Sequence, residues 1–309
     1  METIIHAVSR IDIEKELTPE RFVRKTNFGN NELYIITAHD SPNTMREIGR
    51  LREVTFRYAG GGTGKEMDID HLDTGDNPYK QLIVWDPEAR EILGGYRFRI
   101  CGKGKPEDDL NLATAGLFNF SDKFIKNYLP YVIELGRSFV QPDYQGINKF
   151  RKGMYALDNL WDGLGALIVD NPENKYFFGK VTIYMSYNEL ARNLIYYFFE
   201  KYFPDNEKLL EPKVPFPFSI DKEELKKILC GKNYDEDYKI MSQKIRSMGT
   251  HIPPLINAYM NLSSSMRTFG TSINEHFGGV IETGIMITIS DIYPEKVQRH
   301  IDSYKKNKF

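Results

Sequence analysis

Ile133-Glu134-Leu135-Gly136-Arg137-Ser138-Phe139-Val140 reads as an apolar strand that carries a carboxylate and a guanidinium three residues apart. Desolvating an ion costs several kcal/mol even after relaxation, so charges placed there must pair or do chemical work. The strand therefore passes through a site. Two further charge placements precede it in the chain: the acidic step Asp70-His71-Leu72-Asp73, and Arg97 at the end of Gly94-Gly95-Tyr96-Arg97.

The chain has 309 residues, enough for one large domain or two ordinary ones. Its 41 basic and 43 acidic side chains give a formal net charge of -2, so no global basic field attracts nucleic acid. Cys101 and Cys230 lie far apart, which suits a reducing compartment and offers no zinc spacing. The six histidines show no paired metal spacing either, so no metal is expected. Residues 1–17 mix Arg10, Asp12, Glu14 and Lys15 with apolar residues and so lack a signal peptide's apolar core. No stretch approaches the roughly 20 apolar residues that span a bilayer. These features lead to the expectation of a cytoplasmic protein.

Residues 32–38 read as a strand, and Asp40-Ser41-Pro42 opens a helix over 44–58. Strands over 79–85 and 91–101 form a hairpin through Asp86-Pro87-Glu88-Ala89-Arg90. The next strand covers 131–140. Apolar positions at steps of three and four, from Phe150 through Leu157, Trp161 and Leu167, predict a helix over 149–169. A strand over 176–185 follows, and Ser186 with Glu189 forms a capping-box pattern for a helix ending near 202. This order predicts a mixed α/β fold, with helices covering a sheet that contains both hairpins and crossovers.

Pro204, Pro212, Pro215 and Pro217 make 204–219 a loop, and short polar helices follow over 222–229 and 235–247. The segment 204–250 is thus a Pro-rich and helical insertion. Pro253-Pro254 opens a helix over 255–262, and a helix over 294–304 closes the chain. A late strand over 282–289 has no partner of its own and must join the earlier sheet. The expected organisation is an N-terminal extension over 1–30 and a single domain over 31–309 with an elaborated C-terminal region.

Arg52 with Phe56, Asp70 with Asp73, Arg97, and Glu134 with Arg137 follow one another in an order that resembles the signature of the acyl-homoserine-lactone synthases. The phrases Leu82-Ile83-Val84-Trp85-Asp86, Gly94-Gly95-Tyr96-Arg97, Glu134-Leu135-Gly136-Arg137-Ser138 and Leu160-Trp161 are more similar to related bacterial N-acyltransferases. These make lyso-ornithine and lyso-glycine lipids, and some carry a haemolysin label. The resemblance covers about residues 52–202. It implies a GNAT-like fold and transfer of a long-chain (3-hydroxy)acyl group to the α-amine of glycine or ornithine, in aminolipid synthesis. The donor it implies is the acyl-phosphopantetheine of acyl carrier protein, with coenzyme A as the alternative and no permanently bound cofactor.

An amine that attacks a thioester must first lose a proton, and a positioned carboxylate can take it. Glu134 is the candidate for that role, with Arg137 beside it in the catalytic set. The resemblance makes Asp70, Asp73, Arg97, Arg52 and Phe56 the substrate-binding set. Arg97 and Arg137 offer guanidinium forks suited to a substrate carboxylate or to pairing with the aspartates. Structural ion pairs, a helix cap and plain core packing are the competing readings of these positions. Tyr187 lies where some GNAT enzymes place an acid that protonates the departing thiolate. Lys149, Arg151 and Lys152 form a basic cluster suited to docking an acidic carrier protein.

Two departures from the resemblance narrow the chemistry. Gly60-Gly61-Gly62-Thr63-Gly64 stands where the lactone synthases carry a tryptophan, so N-acylation without lactone formation is expected. Gln145-Gly146-Ile147-Asn148-Lys149 matches a pyrophosphate loop poorly, which disfavours acetyl-CoA. The residues 60–65 are one short of a P-loop's glycine spacing, and Glu66 replaces its magnesium-binding hydroxyl. Cys101 has no neighbouring His to activate it. The competing functions are an acetyl-CoA-dependent N-acetyltransferase and a non-catalytic acyl-binding module. Phe216 and Phe218 in the proline-broken loop are candidates for peripheral contact with the inner membrane face, which a lipid product would favour.

Overall fold

The apolar runs at 82–85, 92–98 and 132–135 are buried throughout, as strands in the middle of a sheet covered on both faces require. The computed structural model describes residues 1–104, 110–145 and 155–308. Its strands are β1 (Phe22–Lys25), β2 (Glu32–Ile36), β3 (Lys80–Asp86), β4 (Glu91–Ile100), β5 (Phe118–Phe120), β6 (Val132–Val140), β7 (Tyr176–Ile183), β8 (Leu210–Pro212), β9 (Arg267–Asn274) and β10 (Val280–Thr288). The helices used below are α1 (Arg10–Glu16), α2 (Pro42–Tyr58), α3 (His71–Thr74), α4 (Asp122–Asn127), α5 (Ala156–Asp170), α6 (Glu189–Tyr202), α7 (Lys222–Ile228), α8 (Tyr234–Ser247) and α9 (Pro254–Met260).

Eight strands form one sheet in the order β1-β2-β3-β4-β6-β7-β10-β9, and β5 pairs with β8 in a small second sheet. Alternation along β3 divides the core. Ile83 and Trp85 pack with Ile48, Leu51 and Phe56 of α2, whereas Leu82 and Val84 pack with Leu160 and Leu164 of α5 and Leu194 of α6. The fold is therefore mixed α/β with helices on both faces of a central sheet.

One pairing in the large sheet is parallel, β6 with β7, and it is short. It runs from Val132 opposite Tyr176 to Leu135 opposite Gly179, although β6 continues to Val140 and β7 to Ile183. The two strands thus diverge into a wedge. At the same point β6 bulges: Gly95 faces Phe139 and Arg97 faces Gly136, so Arg137 and Ser138 together oppose Tyr96. Arg137 takes a left-handed backbone there, with φ 49. For an L-residue with a side chain that conformation costs roughly 1–2 kcal/mol, and it redirects the guanidinium out of the strand's alternation.

Several expectations shift in detail. β1 falls inside the span read as an extension and forms an edge of the large sheet by pairing with β2. Ser186 does not cap α6; Asn188 does, accepting the Ala191 N–H at 3.0 Å, because α6 begins only at Glu189. The proline-rich loop contains β8. Strand β9 had no expected counterpart, and it forms the far edge beside β10, which itself pairs with β7. The helix expected from 149 is described from Ala156 onward. The C-terminal helix contains a π turn at Val297–Asp302 between Pro294–Lys296 and Ser303–Lys308.

The apex of the wedge depends on a missing side chain. A Cβ on Gly179 would lie 2.3 Å from the carbonyl oxygen of Leu135 across the last parallel rung. Gly179→Ala should therefore lower stability by about 1–3 kcal/mol, the range for overpacking. Urea unfolding should show this as a lower midpoint at unchanged slope.

Candidate active site

Beneath the wedge lies a set of buried ions supplied by four separate pieces of chain. α2 turns Arg52 inward, where it is fully buried. The Asp70 carboxylate caps α3 by accepting the Leu72 N–H at 2.9 Å, and Asp73 reaches back to accept the Asp70 N–H at 3.2 Å. This reciprocal cap satisfies two helix-end donors and fixes both carboxylates. Arg52 donates to both Asp73 oxygens at 3.2 Å, and Arg97 from β4 adds a third bond to Asp73 at 3.2 Å. Gln81 accepts from Arg52 and donates to Asp73 at 3.0 Å.

Arg97 also donates to both Asp70 oxygens at 2.9 Å. Arg137 places Nε 2.7 Å from the fully buried Asp68 and lays its guanidinium over the Phe277 ring, 4.1 Å from the centroid. Arg52, Arg97 and Arg137 thus balance Asp68, Asp70 and Asp73 in charge. Burial alone would raise the Asp73 carboxyl, but Arg52 and Arg97 outweigh it and hold the pKa at about 2.

Glu134 lies on the same strand as Arg137 but is engaged elsewhere. Its carboxylate accepts from the Tyr79 hydroxyl, from the Thr114 hydroxyl, and from the Thr114 N–H at 2.9 Å. Burial and the Glu134 charge push the Tyr79 phenol well above its ordinary value, so Tyr79 remains a neutral donor. Thr114 lines the cavity described next, whereas Glu134 lies behind it.

The wedge holds a half-open cavity of about 560 Å³, within the range of small-molecule sites. Phe56, Phe139, Val140, Leu157 and Leu255 form apolar walls. At one end Arg137, Lys180, Thr182, Tyr184 and Glu282 converge. Glu282 on β10 faces Thr182 across the β7–β10 ladder and is buried. It accepts from Lys180 at 2.6 Å, from Asn274 at 2.8 Å and from Thr182 at 3.2 Å. Burial raises its pKa, but Lys180, Asn274 and Arg137 together hold it below the usual carboxylate value. Glu282 is therefore ionised. Burial, with a smaller contribution from Glu282, pushes the Tyr184 phenol up to about 12, so it stays protonated at neutral pH.

Such a site offers cations for a carboxylate, an anion for an ammonium or its proton, a phenolic proton donor and an apolar chamber. Of the residues singled out in the sequence, Phe56, Arg97 and Arg137 line it. Arg52, Asp70 and Asp73 instead form the ion network beneath. Tyr187 donates to the His251 carbonyl at 2.8 Å and is not a lining residue. Lys149, Arg151 and Lys152 lie outside the described residues. The glycine-rich loop is pinned rather than free, because Glu53 accepts the N–H groups of Thr63 and Gly64 and the Thr63 hydroxyl.

Lys180, Tyr184 and Glu282 escaped the sequence reading. The rule that drew attention to Glu134 applies equally to Glu282, a lone charge in Val280-Ile281-Glu282-Thr283-Gly284-Ile285, and to Lys180 in β7. Among the described residues no helix is long and apolar enough to cross a membrane, and no group of three His, Cys, Asp or Glu could hold a metal ion.

Comparison with known proteins adds independent findings. The GNAT acetyltransferase domain family matches residues 51–152. A protein of Phocaeicola vulgatus named glycine N(alpha)-acyltransferase is 53% identical over 312 residues, covering 99% of this chain and 94% of its own. One of the same name from Bacteroides thetaiotaomicron is 54% identical over 307 residues, covering 98% of this chain and 91% of its own. Among solved structures, a CoA-dependent acyl-homoserine lactone synthase, BjaI, with SAM and isopentyl-CoA, aligns over 88% of each chain at 12% identity and a TM-score of 0.40.

The ion network sets an acid limit on the fold. Asp73 has a folded pKa of about 2 against 3.8 for the ordinary group. A depressed carboxylate stabilises the folded state above its unfolded pKa and loses that contribution as pH falls through the folded one. About 2 kcal/mol of stability should thus disappear between about pH 4 and pH 2. Urea midpoints across this range should show the loss, and Asp73→Asn should flatten that part of the curve while lowering stability at neutral pH.

Proposed function

The chain belongs to the glycine N(alpha)-acyltransferase family and is an acyltransferase, and from that premise we propose that it joins a long-chain acyl group to the amine of glycine inside the wedge between β6 and β7. The observation that carries this reading is the joining of an apolar chamber to an end bearing both charge signs. A zwitterionic amino acid needs both. Arg137 and Lys180 hold the glycine carboxylate, and Glu282 faces its ammonium.

Glu282 takes one ammonium proton, directly or through a water, and the freed amine attacks the thioester carbonyl carbon. The N–C bond forms and the C–S bond breaks. The departing thiolate takes the Tyr184 phenolic proton, and the nitrogen's surplus proton restores the phenol. The unpaired edge of β6 beyond Leu135 supports this placement, since backbone donors there face the developing oxyanion. Glu134 acts as a positioning residue that fixes Thr114 at the cavity wall, and Asp70, Asp73, Arg52 and Arg97 hold the frame on which Arg137 rests.

The donor in this reading is the acyl-phosphopantetheine of acyl carrier protein, docked at Lys149, Arg151 and Lys152, and the product enters aminolipid synthesis. The size of the cavity supports a long chain, because a two-carbon acetyl group would leave most of 560 Å³ unfilled. Purified protein incubated with 3-hydroxyacyl carrier protein, or separately with acetyl-CoA, and a panel containing glycine and ornithine should yield N-acylglycine by mass spectrometry. Acetyl transfer alone, or acylation of every amino acid except glycine, would overturn the reading.

The two carboxylates should separate in kinetics. Glu282→Gln is expected to lower kcat by about 10²–10⁴-fold, and also to lower stability by about 3–5 kcal/mol, because Lys180 loses the buried carboxylate that offsets its charge. Glu134→Gln should lower stability by about 1–3 kcal/mol, because it disturbs a buried hydrogen-bonded cluster, and reduce kcat far less. The opposite pattern would return the proton-accepting role to Glu134.

A further inference from the structure

The main cavity reaches Leu135 and Gly136 at the apex of the wedge. Beyond it lies a void of about 30 Å³, room for little more than a water molecule. Its walls share Leu135, Gly136, Arg137, Ser138, Lys180 and Leu255 with the main cavity, so the two spaces adjoin. Phe177, Phe178, Ile285 and Ile287 supply apolar walls beside Arg137 and Lys180. Tyr96 of β4 and Tyr259 of α9 also line the void.

These tyrosines form a stop rather than a soft wall. Both are buried, and their hydroxyls lie 3.5 Å apart. Burial pushes both phenols above their ordinary value, and so both stay neutral. The Tyr259 ring packs edge-on against Trp161 of α5, with centroids 5.5 Å apart. Tyr96 also meets Ser138, a residue of the bulge that lines the main cavity. A separate groove, lined by Leu157, Trp161 and Ala258 among others, lies beside Trp161, the residue against which Tyr259 packs.

We propose that Tyr259, braced by Tyr96 and Trp161, is the residue that limits the length of the acyl chain the enzyme accepts. The inference rests on the acyl-transfer reading given above. A chain lying in the cavity with its thioester near Glu282 extends its tail toward the apex along the aliphatic stems of Arg137 and Lys180, which line both spaces. Each methylene beyond the stop must displace a packed ring. One methylene too many or too few in an apolar pocket changes kcat/KM by roughly 10–200-fold.

Octanoyl to stearoyl thioesters of acyl carrier protein and of coenzyme A, each with glycine, give the test. Tyr259→Leu should raise the ratio of kcat/KM for the longest over the shortest donor by about tenfold or more, and Tyr259→Trp should lower it comparably. Thermal melts establish that each variant is folded, and either folded variant alone decides the matter. A chain-length profile unchanged in shape, or activity reduced equally for all donors, overturns the proposal. If the parent protein acylates glycine with none of the thioesters, the acyl-transfer reading itself falls, and the length limit with it.

Discussion

Three arginines locked to three aspartates inside the protein are the constraint on which the rest of the structure depends. Arg52 and Asp73 are fully buried, and Arg97 nearly so. Each ion carries a desolvation cost of several kcal/mol that only its partners offset. The partners come from α2, from the segment leading into α3, from β4 and from β6, so these elements cannot move independently without exposing an unpaired charge. The network lines the cavity only through Arg97 and Arg137. Its task is to hold β6 in a bulged shape that the backbone alone would not favour.

That shape creates the site. Because β6 and β7 part after Leu135 and Gly179, a sheet that would otherwise be continuous is opened at its middle, and both faces reach the gap. Phe56 and Phe277 approach from the α2 side, Leu157 and Leu255 from the side of α5 and α9. Charged groups gather at one end, where Lys180 and Glu282 neutralise each other at 2.6 Å. An ionised carboxylate and two cations in a mostly apolar chamber suit an acceptor with both charges and a donor with a tail.

Much of this was legible along the chain. The apolar run 132–140, the hairpin of β3 and β4 and the long helices announced a covered mixed sheet, and the ordered charges located the network that frames the site. What the chain order did not disclose was which charge faces which space. Glu134 and Arg137 are neighbours in sequence, yet the bulge sends Arg137 to the cavity while Glu134 is retained by Thr114, a residue from a segment that carried no strand or helix signal. Lys180 and Glu282 meet across 102 residues, through a strand pairing that only the folded topology supplies. Strand β9 was obscured by its polar residues and by Gly270, whose φ of 80 marks the irregularity in its ladder with β10.

The most direct measurement is a crystal structure of the protein with glycine and a long-chain acyl-pantetheine thioether that cannot transfer its acyl group. The expected arrangement has the acyl chain in the wedge with its tail toward Tyr96 and Tyr259, the glycine carboxylate on Arg137 and Lys180, and the glycine nitrogen within hydrogen-bond reach of Glu282. A ligand bound with its reacting carbon beside Glu134, or outside the gap between β6 and β7, would contradict it.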